Sequence, residues 1–222
     1  MINILEDYFW RSMPQEGDFT TNPNLRKKVD EEGKLLPFRG NTVVFLLDDA
    51  IKDYLSKLQE SLHRAAPDML AQPLQMSTFH MTLHDLANGT PEQPGLSDYM
   101  NYTQERVSQI LPGWKDAPPL RMKTTWLFNM VNTSIVLGLM PADEDSWRRL
   151  DEMYTALEDV VRLGYALTPH ITMGYFRPGT YSEEQVRRLS EALRNVDLEI
   201  TLRMEDLVFQ NFTDMNHYKT IF

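Results

Sequence analysis

The chain contains no cysteine. This excludes a disulfide framework, a thiolate nucleophile and Cys-ligated zinc, and it fits a reducing cytoplasm. Long apolar runs are missing as well. The longest, such as Val43-Val44-Phe45-Leu46-Leu47, falls far short of the ~20 residues that span a bilayer, so no membrane is expected as a partner. The start, Met1-Ile2-Asn3-Ile4-Leu5-Glu6-Asp7, carries acids where a signal peptide has a basic region, and the expected localisation is cytoplasmic. There is no Gly-rich phosphate loop and no Ser nucleophile elbow. Positive charge is in short supply: 22 Lys and Arg stand against 32 Asp and Glu, a formal net charge of −10. A protein that tracks a long phosphate backbone usually shows a basic stripe, because counterion release supplies its affinity. Here Lys and Arg are scattered, and Arg26-Lys27-Lys28 is followed at once by Asp30-Glu31-Glu32. The expected partner is a small nucleotide or short oligonucleotide, with no long nucleic acid.

What is present is an ordinary globular composition, 42% hydrophobic and 24% charged over 222 residues. That suits one domain, or two small lobes sharing a core. Residues 1 to 36 are polar and rich in turn formers, and read as an N-terminal arm with one short helix near Ile4 to Ser12. Residues 37 to 222 read as a single domain of two lobes. Asn41 to Leu47 is a buried-strand pattern. Asp48 or Asp49 caps the helix that follows, with Ile51, Tyr54, Leu55, Leu58 and Leu62 at helical spacing. Thr78 to Leu86 reads as the next strand and Tyr99 to Leu111 as a helix. Leu120 to Met130 and Thr133 to Met140 form a hairpin pattern about Asn132. Asp143 to Arg162 is helical and Leu167 to Phe176 extended. Ser182 and Gln185 make a capping box for another helix, and Asp197 to Met204 and Leu207 to Phe212 close the chain as strands. The order strand, helix, strand thus occurs twice, half a chain apart.

Each second strand of that order carries the same short motif, His80-Met81-Thr82-Leu83 and His170-Ile171-Thr172-Met173. Side chains at i and i+2 of a strand share a face. His80 and Thr82 therefore face one way, with Phe79, Met81 and Leu83 opposite, and His170 and Thr172 do the same against Ile171 and Met173. In a shuffled sequence, two of the five histidines would be followed two places on by Thr about one time in twenty, before apolar neighbours are required. The chemistry suits phosphodiester cleavage. One imidazole takes a proton from the attacking oxygen while the other protonates the leaving oxygen, since imidazole titrates near neutrality. A Thr hydroxyl beside each His donates to a phosphoryl oxygen as its charge grows. No metal and no other cofactor is needed.

Other residues are candidates for substrate contacts. His84 falls on the His80/Thr82 face if the alternation continues, at the cleft edge. Read as a strand, it lies too far from His80 to share a metal, so zinc is set aside. Arg39 and Arg177 suit a phosphate, Asn41 lies beside Gly40, and Trp126, Phe128, Tyr175, Phe176 and Tyr218 offer stacking faces for a base. By parity Phe176 shares the His170 face and Tyr175 does not.

With its two His-x-Thr-x motifs the sequence resembles the 2H phosphoesterase superfamily. Pro37-Phe38-Arg39-Gly40-Asn41-Thr42-Val43-Val44 and Phe212-Thr213-Asp214-Met215 extend the resemblance toward a poorly characterised bacterial and fungal branch. The resemblance implies an α+β fold, two-lobed and pseudo-symmetric, with antiparallel-rich sheets around a central cleft. It also implies a metal-independent phosphodiesterase acting on 2′,3′-cyclic, 2′-5′ linked or cyclic-oligonucleotide phosphodiesters. A non-catalytic nucleotide-binding protein and an RNA-end ligase or cyclising enzyme are the alternatives.

Overall fold

The structure is a computed structural model that describes residue 13 and residues 17 to 222. The helix expected near Ile4 to Ser12 lies outside the described residues. The strands are β1 (Phe19–Thr20), β2 (Arg39–Leu46), β3 (His80–Gly89), β4 (Leu120–Met130), β5 (Ser134–Pro141), β6 (His170–Tyr175), β7 (Thr180–Tyr181), β8 (Glu199–Leu202), β9 (Leu207–Asp214) and β10 (His217–Thr220). The α-helices are α1 (Asp49–Ala65), α2 (Leu96–Ile110), α3 (Glu144–Glu158) and α4 (Glu183–Ala192). Local chemistry sets the helix starts. Asp48 Oδ1 accepts from Ile51 N–H at 2.8 Å, Asp143 Oδ1 accepts from Ser146 N–H at 2.8 Å, and Ser182 with Gln185 forms the expected capping box. Each satisfies amide donors that a helix start leaves unpaired. No described helix is long and apolar enough to cross a membrane.

Eight strands form one antiparallel sheet in the order β10-β9-β2-β3-β6-β5-β4-β8, and β1 pairs with β7 apart from it. The fold is α+β, and its pseudo-symmetry is visible in that order. One half is β10-β9-β2-β3 and the other β6-β5-β4-β8. They meet where β3 lies beside β6 through one antiparallel pair, Met81↔Ile171. The two expected sheets are thus halves of one. Each half contributes a hairpin-like antiparallel pair joined through a helix: β2 and β3 by α1, β5 and β6 by α3.

One face of the junction is apolar. Met81, Leu83, Ile171 and Met173 are each 0% exposed and belong to the main hydrophobic core. Burying four such side chains stabilises the junction by roughly 1.5–3 kcal/mol each relative to exposure, so the register that turns them inward also turns the alternate residues outward. Gly40 on β2 has a steric reason. A Cβ there would stand 2.4 Å from the Ala87 carbonyl oxygen and 2.7 Å from the Phe212 ring.

The segment before β2 is packed against this body. Leu25, Val29 and Leu35 join the main core. Phe19 of β1 lies 5.0 Å, centroid to centroid, from Phe176.

Candidate active site

The pair Met81↔Ile171 brings the polar face together. In antiparallel strands, residues directly opposite share a face. His80 is therefore level with Thr172, and Thr82 with His170. The four side chains form a quartet with the two histidines on one diagonal, about 7–8 Å apart by strand geometry. All four line one cavity of about 620 Å³, a size that suits a nucleotide-sized ligand.

Both histidines are anchored in the same way. His170 Nδ1 lies 2.6 Å from the Thr168 carbonyl oxygen. A carbonyl only accepts, so Nδ1 carries the hydrogen and Nε2 is left with its lone pair. The Thr78 backbone bonds the His80 ring in the same way, two residues before it. The repeated unit is thus Thr-x-His-x-Thr, Thr78-Phe79-His80-Met81-Thr82 and Thr168-Pro169-His170-Ile171-Thr172. The outer threonines are not among the residues expected from sequence, although a Thr two places before each His is a signal that could have found them.

Electrostatics separate the two rings. Burial pushes His80 down to about 4, assisted by the charges of His170 and Lys52 and opposed by the Thr78 carbonyl. His170 is also lowered by burial, but both the Thr168 carbonyl and the Asp85 carboxylate act to hold its proton. Tyr218 stands edge-on to His80 with ring centroids 5.0 Å apart.

Strand alternation fails just past each motif. Val44 pairs with Thr82 and Val43 with His84, which leaves Leu83 as an extra residue in β3. Val136 pairs with Thr172 and Ile135 with Gly174, which leaves Met173 extra in β6. A bulge of one residue exchanges the faces of everything beyond it. In β3 it turns Asp85 onto the cleft face in the place expected for His84. The His84 side chain is 0% exposed and bonds Glu158 Oε1 at 3.1 Å, although it still touches the cavity wall. In β6 the same shift puts Tyr175 on the cavity wall and Phe176, 0% exposed, into the core. The parity expectation for Tyr175 and Phe176 is thereby reversed.

The other expected contact residues divide. Tyr218 lines the cavity. Asn41 does not: it is 0% exposed, donates to the Met100 carbonyl at 3.0 Å and accepts from Ala87 N–H and Thr103 Oγ. Arg39 reaches Ser97 Oγ at 3.3 Å on the α2 side. Arg177 donates to the Glu31 carbonyl oxygen, and Trp126 sits at a register shift in β4, 41% exposed. None of these last three lines the cavity. Residues outside the sequence expectation do, including Lys28, Asp85, Tyr154 and Tyr165, and so does Tyr175, which strand parity sets on the other face. The outcome for Asn41 has a simple cause. A buried amide needs several partners, and α2 and β3 supply them. Among the described residues, no three His, Asp or Glu side chains are placed to share a metal ion.

No family model and no curated protein matches the chain. Solved structures do. The chain is similar to a conserved protein of unknown function, ATU0111, from Agrobacterium tumefaciens str. C58, at 18% identity and a TM-score of 0.65, with 98% of each chain covered. It is similar to TT0787 of Thermus thermophilus at 14% identity and a TM-score of 0.53, over 83% of this chain and 95% of that one. E. coli LigT complexed with 3′-AMP matches at 13% identity and a TM-score of 0.49, over 83% and 96%. The α+β fold is shared with ATU0111 and TT0787, and it is the fold that the resemblance to the 2H phosphoesterase superfamily implied.

Proposed function

We propose that the protein is a 2H-type phosphodiesterase that cleaves a small nucleotide phosphodiester by acid/base catalysis between His80 and His170, without a metal. The observation that carries this reading is the quartet. Two histidines and two threonines stand on one face, at the junction of the sheet halves, inside the cavity. The phosphoryl group sits between the strands. Thr82 and Thr172 donate their hydroxyl hydrogens to its non-bridging oxygens, where charge grows in the transition state. Water attacks phosphorus and gives a proton to Nε2 of one histidine. The P–O bond to the leaving group breaks, and the other histidine protonates that oxygen. The products are a phosphomonoester and a free hydroxyl, and solvent restores the protonation states.

The surroundings favour one division of labour. Burial and the Lys52 charge keep His80 neutral, which suits the base. Burial lowers His170 as well, but Asp85 acts against that lowering, which makes His170 the better suited of the two to the acid. The cleft lies, in this reading, mainly in a domain of residues 37 to 222, with Lys28 of the preceding arm on its wall.

The experiment is a product-resolved screen of 2′,3′-cyclic, 2′-5′ linked and cyclic dinucleotides with EDTA present. The expected result is hydrolysis of at least one class at an unchanged rate in EDTA. Activity that needs a metal restored would remove the metal-free mechanism. Tight binding with no product would favour the nucleotide-binding alternative, and joined or cyclised products the ligase.

A further inference from the structure

We infer that the cavity contains a second anion subsite, built on Lys28, which takes a phosphate of the substrate other than the one at the His–Thr quartet. The substrate is then a nucleotide with a phosphate at the end remote from the scissile diester. This deepens the phosphodiesterase reading and rests on it for the identity of the first phosphate.

Lys28 belongs to the run Arg26-Lys27-Lys28, which the sequence sets against Asp30-Glu31-Glu32. Folding undoes that balance. Arg26 forms an ion pair with Glu31. Asp30 Oδ1 accepts from the backbone N–H groups of Glu32 and Lys34 at 3.1 and 2.7 Å, closing its own turn. Lys28 instead lines the cavity. Its Nζ stands 4.9 Å from the Phe38 ring centroid and 5.7 Å from that of Tyr175. Among the described residues it forms no ion pair within 4.0 Å. Aromatic faces hold an ammonium in place without cancelling its charge. A positioned ammonium with no carboxylate paired to it among the described residues, on the wall of a nucleotide-sized cavity, suits a phosphate as a point charge.

The subsite is separate from the quartet. Tyr175 Oη lies 3.1 Å from Met215 Sδ, and Tyr218 Oη lies 3.8 Å from the same sulfur. The Tyr218 ring is the one against His80. Tyr175, Met215 and Tyr218 thus form a chain of contacts along the cavity wall from Lys28 to His80. The lysine whose charge His80 feels is Lys52. In this proposal a group bound to Lys28 is a second phosphate of the same substrate, across the nucleoside from the scissile one.

The test is calorimetric binding of adenosine 3′,5′-bisphosphate and adenosine 3′-monophosphate at fixed salt. The proteins compared are wild type, Lys28→Met, Lys28→Arg and, as a surface control, Lys27→Met. The wild type is expected to bind the bisphosphate about tenfold tighter, the effect of one charged contact. Lys28→Met brings the ratio to about one, while Lys28→Arg and Lys27→Met retain most of it. A wild-type ratio near one, binding of neither compound, or a ratio that survives Lys28→Met overturns the subsite. Hydrolysis of adenosine 2′,3′-cyclic phosphate by the wild type is measured alongside. Turnover without the binding preference removes the subsite alone, and the preference without turnover of any diester removes the diesterase reading alone.

Discussion

The half of the sheet that ends on β3 and the half that begins with β6 carry the same polar unit in different surroundings. Each has Thr-x-His-x-Thr, each anchors its imidazole on the carbonyl of the outer Thr, and each bulges at the residue after the inner Thr. Beyond the bulge they part. β3 places Asp85 on the cleft face, where β6 places Tyr175. On the opposite face β3 has His84, bonded to Glu158 of α3, where β6 has Gly174 against His63 of α1. In the proposed reaction the matched parts serve what both halves would do alike, which is to hold a phosphoryl group and present an imidazole. The unmatched parts would supply the asymmetry that the proposed reaction needs, because an acid and a base must differ in proton affinity.

The largest expected effect tests the likeness. Replacing His80 or His170 with Ala is expected to lower kcat by about 10²–10⁴ in either case. The double variant should be little worse than the poorer single one, since the two act as a unit. Steady-state rates on the substrate found by the screen decide this, and normal turnover in one single variant would break the symmetry of roles. Next come the hydroxyls. Thr82→Val and Thr172→Val should each cost about 10²–10³ in kcat, as one lost transition-state donor does. A KM change with kcat intact would mean that the hydroxyls only bind.

A smaller effect tests the difference. Asp85→Asn removes a charge that holds the His170 proton. The limb of the kcat/KM profile that reports His170 should then move to lower pH, while Tyr175→Phe leaves both limbs in place. A shift of the His80 limb instead would reverse the assignment of acid and base. The smallest effect concerns folding. His80 titrates near 4 when folded and near 6.5 when unfolded. Between those values the unfolded chain takes up a proton that the folded chain does not, so stability falls as pH falls from about 6.5 to about 4. Urea unfolding of His80→Gln should show a shallower loss over that window, and an unchanged slope would mean that other groups set it.

The sequence carried most of the architecture because the signals were local. Periodicity placed the four helices of the described residues and the principal strands, and side-chain caps at Asp48, Asp143 and Ser182 marked helix starts. The short strands β1, β7 and β10 had too few residues to show a pattern, and form because a partner strand is already in place. Within the site, the quartet and Tyr218 were legible in the sequence. The cleft placement of Asp85 and Tyr175 was not, for one reason. A strict two-residue alternation runs through two bulges that nothing local announces, and it points to the wrong neighbours beyond them.

By itself, then, the sequence determined the motif strands and which of their faces is polar, because a strand with Met81, Leu83, Ile171 and Met173 on one side has only one way to bury them. Tertiary structure alone decided which strands become neighbours, where the alternation breaks, and which charges reach the cleft. Pairing is a property of two segments and a bulge is a mismatch between them, so neither is written in one segment. The same holds for Lys28. In sequence it stands beside acids, and in the fold Asp30 and Glu31 have other partners while its ammonium rests on two rings in the cavity wall.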